Sequence, residues 1–414
     1  MIIAARARFV VASCLVAAAV GACSDSDVSQ GATVKPGEAD GGVVPSPGVL
    51  RDAAVEGGTD GGGDPPLDTV SIADGPCVAP GGTVKVVYPR PADLGFLGLE
   101  KLGARWVASA RDDRGFVLLD ADGANASAQP PTSSLDARAR AASNGVVTFG
   151  IVGEGLAFRR FDDQGNAVGA PLVATTEAAA RNPNLAPRDD GSALLVWGTP
   201  FDVYVRSVDA QGVLGVRPFE VDDSSPKSRF RSAVLADGPR YAVAWSVRED
   251  LTARFRTRLA LVDPSALTAR ATTLNTTTSP QEVVGIVRSS TGFRVLVDTP
   301  PPGPGMVLIE TDQTGKVVGP GHVIAGSLQA LGLAAQGDEL GVVALRADKR
   351  VAFRPLTSKL EAAGPWVCLD APATSNPDFS GAIAPDGAGY AVLYRAADDG
   401  QSLRRFDRLG TGPL

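Results

Sequence analysis

Residues 390–410 read YAVLYRAADDGQSLRRFDRLG, an apolar strand, a loop, a second strand and a turn, and this order decides the fold. Six earlier segments show the same order: RWVASARDDRGFVLLDADG (105–123), GVVTFGIVGEGLAFRRFDDQG (145–165), ALLVWGTPFDVYVRSVDAQG (193–212), YAVAWSVREDLTARFRTRLALVDPSA (241–266), FRVLVDTPPPGPGMVLIETDQTG (293–315) and LGVVALRADKRVAFRPLTSKL (340–360). A polar residue opens each turn: Asp120, Asp162, Asp209, Asp263, Asp312, Thr357 and Asp407. The 287 residues from the first to the last cover six intervals of about 48, a length typical of propeller blades.

The turn after each second strand has a chemical signature. Asp accepts hydrogen bonds from N–H groups two or three residues further on, and Gly supplies the positive φ that closes the hairpin. Five units have glycine at that place: Gly123, Gly165, Gly212, Gly315 and Gly410. Because Ala266 and Leu360 stand there in the fourth and sixth units, we expect a different turn in those two.

Each unit has two further strand candidates, one before and one after the central pair. Examples are SAVLADG (232–238) and GAIAPDG (381–387) before the pair, and AVGAPLVA (167–174) after it. Four short strands per unit make the blade of a β-propeller. The central strands are apolar on both faces, as packing between two neighbouring blades requires, and Trp197, Trp245 and Tyr394 are expected in those contacts.

The fold prediction is therefore an all-β, seven-bladed β-propeller over residues 77–414. Six or eight blades, or two packed β-sandwich domains, are the alternatives. The seventh unit stops after its third strand, and the segment 83–88 (TVKVVY) precedes the first unit as an unpaired strand. Pairing that segment into the last blade would close the ring and remove an exposed edge.

The first 22 residues have the features of a signal peptide: Arg6 and Arg8, then an apolar run from Phe9 to Val20. Val20-Gly21-Ala22-Cys23 resembles the bacterial lipobox, in which an aliphatic and two small residues precede the cysteine that receives a lipid. The resemblance implies a lipoprotein signal peptide over residues 1–22 and a mature, lipid-anchored chain that begins at Cys23. A secretory signal with Cys23 as a bystander is the alternative. Because Ser24 replaces the Asp that favours inner-membrane retention, the outer membrane is preferred.

Residues 23–76 are predicted to be a disordered acidic linker. From residue 24 they contain eleven Gly, six Pro and ten acidic residues, without Phe, Trp or Tyr. Such a segment cannot bury enough apolar surface to offset about 1–2 kcal/mol of backbone entropy per ordered residue. A calcium-binding loop is disfavoured, because GGTDGGGDPPLD lacks the alternate-residue spacing of such loops.

Cys77 and Cys368 are the thiols left once Cys14 is cleaved off and Cys23 carries its lipid. Cys77 lies before the unpaired strand, and Cys368 follows the last strand of the sixth unit. In an oxidising compartment the two are expected to form a disulfide, and two separate buried thiols are the alternative.

Composition excludes several function classes. The net charge of the chain is −7 and the linker alone carries −8, so the repeat domain is nearly neutral and no nucleic-acid partner is expected. His322 is the sole histidine, which leaves little from which to build a His-based metal site or catalytic triad. No cofactor fingerprint appears, and paired acids such as Asp162-Asp163 and Asp189-Asp190 fall in predicted turns.

The repeats resemble those of exported bacterial lipoproteins with propeller domains, which read roughly G-x-x-Y-x-V-x-W and then an aliphatic strand ending R-x-x-D-x-x-G. The chain lacks the Trp-Asp ending, the kelch double glycine and the sialidase box, so no propeller chemistry can be named. Two functions remain: a lipid-anchored binding or scaffolding module of the cell envelope for a protein or polysaccharide, or an envelope hydrolase or lyase with carboxylates in the propeller channel. The single His and few aromatic residues favour the binding module, and no catalytic or metal-binding residue is predicted.

Overall fold

The computed structural model describes residues 68–72, 77–80, 85–88, 96–110, 115–121, 127–128, 138–152, 155–177, 179–199, 202–222, 231–249, 254–325, 328–346, 350–369, 381–395 and 401–410. The predicted signal peptide, Cys23 and linker residues up to 67 lie outside these ranges. Within them the chain forms strands and turns, without a helix. Accordingly, the described part of the chain contains no helix long and apolar enough to cross a membrane.

Three short strands precede the repeats, and each repeat then forms one blade. The early strands are β1 (Thr69–Ser71), β2 (Cys77–Val78) and β3 (Lys85–Tyr88). Blade 1 contains β4 (Phe96–Leu102), β5 (Arg105–Ala110), β6 (Phe116–Leu119) and β7 (Ser127–Ala128). Blade 2 contains β8 (Arg138–Ala142), β9 (Gly145–Val152), β10 (Gly155–Phe161) and β11 (Ala167–Thr175). Blade 3 contains β12 (Arg181–Pro187), β13 (Ala193–Gly198), β14 (Val203–Val208) and β15 (Phe219–Asp222).

The remaining four blades repeat the pattern. Blade 4 contains β16 (Arg231–Asp237), β17 (Arg240–Glu249), β18 (Arg254–Asp263) and β19 (Thr268–Thr277). Blade 5 contains β20 (Glu282–Arg288), β21 (Gly292–Thr299), β22 (Gly305–Asp312) and β23 (Gly321–Ala325). Blade 6 contains β24 (Gln329–Gln336), β25 (Glu339–Leu345), β26 (Val351–Leu356) and β27 (Trp366–Leu369). Blade 7 contains β28 (Gly381–Asp386), β29 (Gly389–Arg395) and β30 (Gln401–Asp407).

These strands form seven sheets, and within each repeat unit consecutive strands are antiparallel neighbours. The first strand of every blade is innermost and the fourth lies toward the rim, where β1 and β2 add a fifth strand to blades 5 and 6. The seven-bladed, all-β prediction is confirmed, and the six-blade, eight-blade and β-sandwich alternatives are wrong. The second strand of each blade is buried on both faces, and Trp197, Trp245 and Tyr394 are fully buried in the predicted packing role.

The ring closes through β3. This strand pairs antiparallel with β30, with Lys85 opposite Leu403 and Val86 opposite Ser402, so blade 7 has the order β28-β29-β30-β3. The predicted closure by the segment before the first repeat is confirmed. It supplies the fourth strand that the last unit lacks.

β1 lies in the segment for which the sequence predicts disorder. β1 pairs in parallel with β23 of blade 5, and the N–H of Ile72 donates a hydrogen bond of 2.8 Å to the carbonyl of Val323. The prediction of disorder for residues 23–76 is therefore wrong for Thr69–Ser71. Next along the chain, β2 pairs in parallel with β27 of blade 6, where Cys77 and Cys368 form a disulfide with a Cα–Cα distance of 5.7 Å.

The turns after the third strands have the predicted chemistry. In blade 5, Asp312 accepts hydrogen bonds from the N–H groups of Thr314 and Lys316, and Gly315 has a φ of 84°. The expectation of a different turn in the sixth unit is wrong. Leu360 adopts a φ of 63°, and its N–H donates to the carbonyl of Thr357 at 2.9 Å, as glycine does in the other blades. Its side chain is buried between blades 5 and 6, which offsets the left-handed strain.

Candidate functional site: the central channel

A channel of about 900 Å³ runs along the propeller axis. All seven innermost strands line it, because each blade directs its first strand at the axis. The volume lies in the range of sites that enclose a ligand. Its aliphatic wall comes mainly from blades 3 to 7, through Leu185, Val234, Leu235, Val283, Val284, Ile286, Val287, Leu331, Leu333 and Ile383.

Charged groups enter the channel mainly from blades 1, 2 and 4. Glu100, Arg138 and Arg140 line it on the first two blades, and Arg231 lines it on blade 4. We call the end where the innermost strands begin the start mouth, marked by Arg138, Arg231 and Gln329. The opposite end is the turn mouth, marked by Ser290, Asp338 and Pro385.

The carboxylates of the innermost strands are held in ion pairs. Glu100 contacts Arg140 of blade 2, and its other oxygen accepts the N–H of Ala141 at 2.8 Å. The other three pairs also join neighbouring blades: Glu282 with Arg231 (2.8 Å), Asp237 with Arg288, and Asp386 with Lys101 (2.6 Å). A glycoside-cleaving pair needs one carboxylate as nucleophile or base and another as acid. On the described innermost strands, each carboxylate instead forms an ion pair with a cation of a neighbouring blade.

The ion pair between blades 7 and 1 shows why such a carboxylate keeps its charge. Asp386 is almost fully buried and contacts Arg405 as well as Lys101. Burial raises the pKa of this carboxyl, but the hydrogen bonds from Arg405 and Lys101 together outweigh it, and the pKa is lowered. Asp386 therefore stays ionised and serves as a fixed counter-ion.

Asp298 is the described acid with the pKa raised furthest. It lies opposite Glu282 in the β20–β21 pair, so these are the best candidates for a carboxylate dyad. Burial, and less strongly the charge of Glu282, raise the pKa of Asp298 to about 6. However, neither residue lines the channel, and Asp298 accepts the N–H of Ala330 at 3.2 Å. Its observed contact connects blade 5 to the innermost strand of blade 6.

Other sequence candidates lie away from the channel. His322 is on β23, the outer strand of blade 5, opposite Val70 of β1. Asp162 and Asp190 lie in turns, where hydrogen bonds from neighbouring side chains and N–H groups lower their pKa values. The described residues bring together no group of three His, Cys, Asp or Glu side chains that could hold a metal ion. Sequence reasoning did not single out Gln329, because nothing in its local sequence marks a channel mouth.

Comparison of the sequence with protein-family models and with curated proteins gives no match. Solved structures match the fold. A chain of the mitotic checkpoint complex has a TM-score of 0.51 and 14% identity, covering 80% of this chain and 93% of its own. Virginiamycin B lyase from Staphylococcus aureus has a TM-score of 0.53 and 12% identity, with coverage of 78% and 98%.

A prolyl endopeptidase structure has a TM-score of 0.50 and 12% identity over 78% of this chain, which spans 49% of the endopeptidase. The three matched proteins differ in what they do. At such low identity the likeness shows the propeller fold alone.

Proposed function

We propose that the chain is a binding module of the bacterial cell envelope, anchored through a lipid on Cys23, whose central channel receives a protein partner. The observation that carries this proposal is the state of the inner carboxylates. Because the described carboxylates of the innermost strands form ion pairs between blades, these strands surround a large walled space without presenting a free acid–base pair to it. This arrangement supports binding over the hydrolase or lyase alternative.

A protein partner is favoured over a polysaccharide. Sugar rings are commonly bound by stacking on aromatic side chains, and the described residues that line the channel include no Phe, Tyr or Trp. They include aliphatic side chains together with backbone and polar hydrogen-bonding groups. Those groups suit a polypeptide.

The proposal is tested by capture from envelope extracts with three forms of the protein. Gln329→Trp narrows the start mouth, whereas Gln211→Trp places the same ring on an exposed turn of blade 3 outside the channel. We expect a retained protein with wild type and Gln211→Trp that is lost with Gln329→Trp. Equal retention by all three forms would contradict the channel as the site, and retained material that survives protease digestion would indicate a polysaccharide.

The anchor is tested separately. Labelled fatty acid should be incorporated into the wild type and not into Cys23→Ala. Equal labelling of both would remove the lipid on Cys23 from the account, without affecting the channel.

A further inference from the structure

We infer that the partner enters the channel as an extended polypeptide strand and pairs with the open edge of β16, the innermost strand of blade 4. This inference rests on the proposed function and names the form that the partner takes at the same site.

The first observation is which residues line the channel. Blades 4, 5 and 6 contribute unbroken runs, residues 231–236, 283–290 and 329–335. Successive side chains of a strand point to opposite faces of its sheet. A run without gaps therefore means that the backbone edge, rather than one side-chain face, is turned toward the cavity.

Packing of the side chains agrees with that orientation. On β16, Leu235 lies in the apolar cluster that contains Ile286 of blade 5. Its neighbour Ala236 lies in a different cluster, which contains Val196 of blade 3. Both faces of the strand are thus used by adjacent blades. The edge that remains faces the axis.

That edge carries hydrogen-bonding groups. One of them, the carbonyl of Ser232, already accepts a hydrogen bond of 2.6 Å from the side-chain amide of Asn184 on blade 3, which leaves the groups further along β16 for an added strand. β16, β20 and β24 each stand at the end of their sheet, with a strand neighbour on one side only among the described strands. Backbone N–H and C=O groups on an open edge are a template for an added strand. The same protein already shows such addition, because β1 and β2 join the outer edges of blades 5 and 6.

β16 offers the most regular edge of the three. Its seven residues, Arg231 to Asp237, pair with β17 without a register shift. The other two strands are interrupted, β20 between Val283 and Gly285 and β24 between Ala330 and Gly332. Bulges disrupt a hydrogen-bond ladder, so a straight incoming strand fits β16 best.

The test uses a fluorescent eight-residue peptide of alternating threonine and valine, and the same peptide methylated at all of its peptide nitrogens. Methylation removes backbone donors and keeps the side chains. We expect the methylated peptide to bind the full protein at least tenfold more weakly. Gln329→Trp and Ser290→Trp, one at each mouth, should weaken the unmodified peptide to a similar extent, and Gln211→Trp should not.

A photoreactive form of the peptide locates the edge, and cross-links should fall within residues 231–237. Equal binding of both peptides, no binding of the unmodified peptide at millimolar concentration, or cross-links confined to rim strands would each overturn strand pairing. If the captured protein is still lost with Gln329→Trp in such a case, the channel remains the binding site and only its mode of recognition is wrong.

Discussion

Val86 of β3 lies opposite Ser402 of β30, so a strand that precedes the first repeat completes the last blade. Ser402 and its neighbour Leu403 are buried beneath this pairing. Without β3, β30 would become an open edge with unpaired N–H and C=O groups. The pairing therefore makes closure of the ring depend on a few residues that precede the first repeat.

Removal of β3 should destabilise the whole propeller. We expect a chain that begins at residue 91 to unfold about 5–10 °C below one that begins at residue 79, since a loss of several kcal/mol moves the midpoint of a large domain by that order. Both chains lack Cys77, so the comparison isolates β3 from the disulfide. Thermal unfolding followed by circular dichroism measures it, and equal midpoints would show that the ring does not depend on this strand.

Reduction should weaken the protein through the disulfide. Cys77 and Cys368 are 291 residues apart, and for such a loop the chain-entropy model gives an upper figure of roughly 5–6 kcal/mol. A chain that begins at residue 68 should unfold several degrees lower with reductant. The double variant Cys77→Ser/Cys368→Ser is the control and should not respond; a wild type equally indifferent to reductant would contradict a stabilising bond.

Much of this architecture could be predicted from the sequence, because the signals are local. The apolar pairs around Trp197, Trp245 and Tyr394 and the Asp-to-Gly turns repeat within each unit. Thr69–Ser71 could not be predicted as a strand, because its partner, Gly321–Val323, lies some 250 residues away and the flanking composition favours disorder. The ion pair of Arg231 with Glu282 was missed for a similar reason, since its partners are 51 residues apart and neither carries a local mark.

Asp298 should make stability depend on pH. Its folded-state pKa of about 6 lies above the ordinary 3.8, so the protonated form is favoured by folding. The stabilising contribution of Asp298 is then fully present below about pH 4. It is lost as the pH rises through about 6, which lowers the free energy of unfolding by about 3 kcal/mol in total. Asp298→Asn keeps an oxygen for the N–H of Ala330 and should raise the free energy of unfolding at pH 7 but not at pH 4.

Urea denaturation at the two pH values measures this effect. Asp312→Asn is the control, because turn hydrogen bonds lower the pKa of that exposed carboxyl. Its contribution is present above the unfolded pKa and is lost as the pH falls, so this substitution should not stabilise the protein at pH 7. An Asp298→Asn protein no more stable than wild type at pH 7 would contradict the raised pKa.

At position 360, glycine should give a more stable protein than alanine, the reverse of their usual order. The φ of 63° at Leu360 costs any L-residue roughly 1–2 kcal/mol, while the Leu360 side chain is buried between blades 5 and 6. Leu360→Ala loses the packing and keeps the strain, for a cost of about 2–5 kcal/mol. Leu360→Gly loses the packing and relieves the strain, so it should be about 1 kcal/mol more stable than Leu360→Ala. Chemical denaturation of both variants checks this order. A Leu360→Gly protein no more stable than Leu360→Ala would contradict the left-handed conformation of Leu360.

We expect this protein to act through its channel, and we expect that action to be binding. Hydrogen–deuterium exchange of the full protein, free and with its captured partner, tests it most directly. We expect slower exchange on binding in the innermost strands, above all in residues 231–237, with the rim strands β11 and β19 unchanged. Protection confined to those rim strands, with the innermost strands unaffected, would contradict the claim.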